Sequence, residues 1–258
     1  MRSMLNLLKR IRAVIFLWIA LGFFLIGQLL LLISKWIITL TYYNSNYKRG
    51  LKEDFYLLFM NLKLFIAPKI ASAYFAGFPY QSLEYPLMFG DRAILRRLEE
   101  YGILGSISKE HTVLDLGCAE GFMGIKISQF TGASVLNVEH NEVAVKRGLS
   151  LIRFLKLSNV QYLLCDLRSF EPQNKFDRIL AMAAYATDDG GIQMTLFEYF
   201  SYLNGLLANK GLIYFESHWE SHNFEKDLIT AVNASGLAIQ EIKWVDSGNR
   251  LFAVLKRF

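Results

Sequence analysis

The residues best suited to chemistry lie in "HTVLDLGCAEGF" (111–122), where Asp115 precedes Gly117 and Gly121, and Glu120 stands between the glycines. A short apolar run ending in an acid and glycines suits a strand that turns sharply into a helix and leaves its backbone open to a ligand. Two more acids end apolar runs: Glu139 after "SVLNV" and Asp166 after "VQYLLC". A dinucleotide fingerprint starting at Gly117 needs glycine two and five residues on, but Ala119 and Phe122 stand there. A pyrophosphate beside Asp115 and Glu120 would also meet like charge in a poorly hydrated cleft. The loop is therefore a poor phosphate cradle and a suitable host for a cation.

In this arrangement the chain resembles the class I S-adenosylmethionine-dependent methyltransferases. Their first motif is an acid followed by glycines at +2, +4 and +6. Asp115, Gly117 and Gly121 fit it, and Ala119 departs, removing one position of free backbone dihedrals. The resemblance covers residues 111–258 and implies S-adenosylmethionine as cofactor. It assigns Glu139 to the ribose hydroxyls, with His140 stacking near the adenine, and Asp166, next to Leu167, to the adenine amino group. Cys118, Ala119 and Glu120 complete the binding loop, and Met182 borders it at the end of the fourth strand. S-Adenosylmethionine has no phosphate and carries a sulfonium and an ammonium, which suits the acids.

Methyl transfer asks a protein for positioning and, for some acceptors, a base. Candidates follow the fourth strand, in "AAYATDDGG" (Tyr185, Asp188, Asp189), and the fifth, in "ESHWESH" (Glu216, His218, His222). His218 is the first choice, because histidine titrates near neutrality. Tyr185 serves as a base or as an aromatic wall over the acceptor. Asp188 and Asp189 precede two glycines and fit a turn. His111 reads as a loop residue. Cys118 lacks the basic neighbour a nucleophile needs. Members of the family that methylate nucleic-acid or glutamine amines carry an Asn/Asp-Pro-Pro-aromatic motif after strand 4. This chain has "MAAY" (182–185), which points away from exocyclic amines and toward O-methylation.

The elements that must position these residues follow from apolar periodicity. Strands are expected at 112–116, 134–139, 160–165, 176–182, 211–217, 238–245 and 250–257. Helices are expected at 92–102, 121–130, 141–157, 193–207 and 223–234, and "DSGN" (246–249) is a hairpin turn. Alternation of this kind predicts an α/β, Rossmann-like, doubly wound sheet of seven strands. It is mostly parallel, with helices on both faces and an antiparallel strand in the C-terminal hairpin.

Charge and hydropathy divide the chain. Residues 1–60 hold eight Lys/Arg against two Asp/Glu, a net of +6; of the totals 28 and 23 this leaves twenty against twenty-one, a net of −1. A neutral domain gives no reason to expect nucleic acid. The two cysteines, Cys118 and Cys165, lack metal spacing, and no metal is expected. Residues 13–34 form twenty-two uncharged, largely apolar positions, long enough for a bilayer's hydrocarbon core and too long for a cleaved leader. A basic arm beside such a run suits a membrane lipid bilayer as partner. The expected organisation is a membrane anchor helix over 1–45, an interfacial or lid helical segment over 46–90, and a cofactor-binding domain over 91–258. A membrane-anchored enzyme with this domain facing the cytoplasm, acting on a small-molecule or lipid-linked acceptor, is the expectation; the alternative is a membrane-tethered, non-catalytic S-adenosylmethionine-binding or scaffold protein.

Overall fold

Central strands covered on both faces must be apolar along their length, while an edge strand can alternate. The structure, a computed structural model, describes residues 74–75, 78–79, 81–83, 92–185, 194–217, 224–245 and 250–258. Its main sheet has seven strands: β1 (Thr112–Leu116), β2 (Ser134–Glu139), β3 (Val160–Leu164), β4 (Phe176–Met182), β5 (Leu207–Glu216), β6 (Leu237–Val245) and β7 (Arg250–Arg257). Their spatial order is β6-β7-β5-β4-β1-β2-β3. The pairs among β1 to β5 are parallel, and β7 runs antiparallel to both β5 and β6. Leu114 and Leu116 in β1 and Leu251, Phe252, Ala253 and Leu255 in β7 are fully buried. On edge strand β3, Leu163 and Leu164 remain partly exposed.

The helices are α1 (Ile94–Glu100), α2 (Phe122–Thr131), α3 (Glu142–Leu155), α4 (Leu196–Leu206) and α5 (Phe224–Ala234). Asn141 caps α3 by accepting from the Val143 and Ala144 amides, and Thr195 with Glu198 forms a capping box on α4. One face of the sheet packs against α4 and α5 through Leu114, Leu116, Ile213, Phe215, Phe200 and Leu228. The Phe200 and Phe215 rings lie 5.1 Å apart, edge to face. The other face meets α2 and α3, and their glycines let the sheet's side chains approach closely.

Three boundaries differ from expectation. Gly121 caps α2 and does not begin it. Strand β5 starts at Leu207, before the bend at Lys210, where φ is +64°. Within 46–90, expected to be helical, the described residues are extended. Tyr74–Phe75 pairs antiparallel with Phe78–Pro79, and Gln81–Ser82 pairs parallel with Arg92–Ala93, shortening the first expected helix. Aromatic residues favour this state, and Pro79 cannot donate within a helix. Among the described residues no helix is long and apolar enough to cross a membrane. The apolar run 13–34, residues 55–73 and the turn 246–249 lie outside the described residues.

Candidate functional site

Strand order reverses between β1 and β4, and the loops leaving their carboxyl ends bound the crevice where a ligand sits. After β1 the chain turns into α2 through three left-handed residues: Gly117 at φ +63°, Ala119 at +50° and Gly121 at +69°. A Cβ on Gly117 would lie 2.9 Å from the Ala184 Cβ, and one on Gly121 would lie 2.3 Å from the Tyr162 hydroxyl. Both glycines are thus required for space as well as for dihedral freedom. Ala119 adopts the left-handed state despite its methyl, at about 1 kcal/mol. The loop is tied down by backbone donors: the Gly117 amide reaches the Val138 carbonyl at 2.9 Å and the Gly121 amide the Cys118 carbonyl at 2.8 Å.

Glu139, at the end of β2, closes the crevice from the other side. Its Oε2 accepts the Ala119 amide at 2.9 Å and its Oε1 the Asn141 amide at 2.8 Å. His140 places Nδ1 3.1 Å from the same Oε1 and is half-exposed. Asp115 is buried, its Oδ2 accepting the Gly124 amide at 3.3 Å. Burial pushes its carboxyl up to about 7; that hydrogen bond and the nearby Arg97 act against the rise, and Glu139 adds to it. Burial raises Glu120 to about 7 as well, with Glu139 again contributing. The Glu120 Oε1 faces Arg147 Nη1 at 3.2 Å. Three carboxyl groups therefore surround one seven-residue loop in a dry setting. The Cys118 thiol is pushed well up, chiefly by burial and then by these carboxylates, which leaves it inert as a nucleophile.

The remaining expected residues divide. Met182 ends β4 in register with Glu216, at the crevice edge. Tyr185 is half-buried and packs against the core, its ring 5.2 Å from that of Tyr199. Leu167 is buried in the core with Phe170 and Phe176. Asp166 caps the turn Leu167–Ser169 and holds Arg168 through both oxygens, so this guanidinium and the backbone amide keep its carboxyl low, at about 2. It follows β3 as expected, but with a local cation that the strand pattern did not foretell. His218, His222, Asp188 and Asp189 lie outside the described residues.

Glu216 is not available as a base. Fully buried, it accepts from Arg97 through Nε at 2.9 Å and through Nη2, and from Arg250 at 3.1 Å. Sequence reasoning missed both arginines, as well as Arg147 and Tyr162. A signal for Arg97 exists: it shares the helix face of Ile94, Leu98 and Tyr101, where an apolar residue would be usual.

The donor set fits the expected cofactor. Buried carboxylates suit its cationic groups, and two positions without Cβ let the chain come close. Glu139 Oε2, which accepts the Ala119 amide, keeps a lone pair for a ribose hydroxyl. The comparisons agree. A family model described as a methyltransferase domain matches residues 107–249, more than half of the chain. The chain is 32% identical over 96 residues to the (S)-coclaurine N-methyltransferase of Thalictrum flavum subsp. glaucum, covering 37% of this chain and 27% of that protein. It is 30% identical over 95 residues to the sterol 24-C-methyltransferase of Pneumocystis carinii, covering 36% and 25%. The matched segments thus span about a quarter of those relatives' length. Among solved structures, the [4+2]-cyclase SpnF superposes with a TM-score of 0.53 at 12% identity, covering 63% of this chain and 80% of that one. That likeness shows the fold alone.

Proposed function

The chain belongs to the methyltransferase-domain family, with S-adenosylmethionine as cofactor, and on that premise we propose that it methylates a membrane-associated or lipid-linked acceptor. The observation that carries this is the union, in one chain, of an acidic glycine-bent loop at 115–121 with twenty-two uncharged residues at 13–34. A tether raises the effective concentration of the enzyme on acceptors in the same membrane. The sterol methyltransferase among the relatives acts, by its name, on a sterol, which supports a lipid acceptor. Since the cofactor is a cytosolic metabolite, residues 91–258 face the cytoplasm.

Within the site, Glu139 holds the ribose, Gly117 and Gly121 let the backbone approach, and Asp115 with Glu120 biases the crevice toward cations. When bound, the cofactor supplies a methyl electrophile on a sulfonium sulfur. Tyr185 walls the acceptor side, and His218 takes the proton of an acceptor hydroxyl. Oxygen is the proposed acceptor atom, given "MAAY" in place of the proline motif of amine methylators. A nitrogen acceptor is the second reading, favoured by the relative named as an N-methyltransferase. Incubating the full chain with methyl-labelled cofactor and membrane extract tests this: label is expected in the lipid fraction. Label confined to soluble molecules would overturn the membrane acceptor, and fragmentation of the product assigns the atom.

A further inference from the structure

Beneath the binding loop a polar row crosses the sheet in register: Asp115 on β1, Asn137 on β2 and Tyr162 on β3. Two helices are carved to admit it. A Cβ on Gly124 would lie 2.3 Å from Asn137 Oδ1, and a Cβ on Gly148 would lie 2.4 Å from the Tyr162 ring. A Cβ on Gly121 would meet the Tyr162 hydroxyl at 2.3 Å. Three glycines on α2, its cap and α3 thus accommodate side chains from two strands, and the outcome is one contact: the Tyr162 hydroxyl donates to the Glu120 carbonyl at 2.7 Å.

That contact completes a bracket. Ala119 and Glu120 are held by Glu139 on the amide of the first and by Tyr162 on the carbonyl of the second. Between the two ties sits Ala119 at φ +50°, the loop position whose side chain disfavours that state. Freed from one tie, an alanine relaxes toward ordinary dihedrals, and the loop loses its binding-competent shape part of the time. A glycine there would not relax in this way, since both signs of φ are open to it. Apparent affinity scales with the competent fraction.

We propose that Tyr162 is a positioning residue for cofactor binding, holding the loop in the left-handed turn at Ala119. This rests on the cofactor and is independent of the acceptor. Both the hydroxyl and the methyl at 119 are testable on the full chain in detergent micelles, with S-adenosylhomocysteine as the probe in titration calorimetry. Tyr162→Phe, which removes one hydrogen bond and little volume, is expected to weaken binding about 3- to 10-fold. Adding Ala119→Gly to Tyr162→Phe is expected to restore most of that loss. Urea midpoints measured alongside separate positioning from simple destabilisation, which glycine at 119 would not repair. Unchanged affinity in Tyr162→Phe, or a loss that glycine at 119 fails to restore, would overturn the proposal. Absence of binding by the unsubstituted chain would overturn the cofactor assignment along with it.

Discussion

The Asp115 carboxyl titrates at about 7 where an exposed aspartate titrates at 3.8, mainly because burial penalises its charge. The raised value means that the folded chain holds this proton more tightly than the unfolded chain does. Stability from this group is therefore fully present below pH 3.8 and is lost as pH rises toward 7. About two of those units lie between pH 5 and 7, at 1.36 kcal/mol each. Asp115→Asn keeps an oxygen for the Gly124 amide and does not titrate. Its stability relative to the parent should thus rise by about 3 kcal/mol from pH 5 to pH 8. Glu120, raised to about 7 also, titrates in both proteins and largely cancels in the difference. Whatever the new amide costs cancels too, because it is the same at both pH values. Urea unfolding of parent and variant in detergent at the two pH values measures the change. A variant-minus-parent stability that is the same at pH 5 and pH 8, or that falls, would refute the assignment of a desolvated carboxyl. The same variant should bind the cationic cofactor more weakly than the parent at pH 8, since it removes a nearby negative charge.

Gly121→Ala forces a Cβ to 2.3 Å from the Tyr162 hydroxyl at a φ of +69°, so binding of S-adenosylhomocysteine should fall more than about tenfold in calorimetry. Glu216→Gln leaves Arg97 and Arg250 facing a neutral amide in a buried site; urea unfolding should show a loss of about 3–5 kcal/mol. Glu139→Ala strips two backbone amides of their acceptor and removes the carboxylate proposed to hold the ribose. Affinity for the cofactor should drop by about one to two orders of magnitude, at two charge-assisted bonds of about 1.5 kcal/mol each.

What could be read from the chain follows from how local each signal is. The seven strands carry continuous or alternating apolar runs, and the acids at their ends mark the ligand edge because a parallel sheet puts every carboxyl end on one side. Asp115, Glu139, Gly117 and Gly121 were legible for that reason. Ala119 was legible as a departure, though its left-handed state was not, because Glu139, twenty residues away, holds it there. Arg97 and Glu216 are 119 residues apart, and no spacing rule joins a helix face to a distant strand end. Tyr162 was hidden similarly: inside "VQYLLC" it reads as one more β-forming residue. Its role depends on Gly121, the cap of α2, and Gly148 of α3, whose smallness matters only once the sheet is assembled. The extended pairs at 74–83 were missed because the apolar run beginning at Phe55 continues into them without a change in hydropathy.

Among the described residues, four non-glycine residues adopt a left-handed backbone: Ala119, Lys156, Ala183 and Lys210. Two have ordinary reasons. Lys156 terminates α3 as its C-cap, and Lys210 lies in the bend within β5. Ala183 directly follows β4 and Ala119 lies three residues after the end of β1, the strands on either side of the point where sheet order reverses. Each is pinned through its own amide, Ala119 by the Glu139 carboxylate and Ala183 by the Glu216 carbonyl at 2.8 Å. Glycine at either position would give the same path without the steric cost, so the fold itself does not explain the methyl. Such a side chain narrows what the loop can do when unpinned, and it makes the pinned shape depend on the groups that tie it. Among the described residues, strain of this kind lies at the crevice edges, beside two carboxyls that burial raises to about 7. Local cost gathered where sheet order reverses marks the site by energetics, independently of any motif.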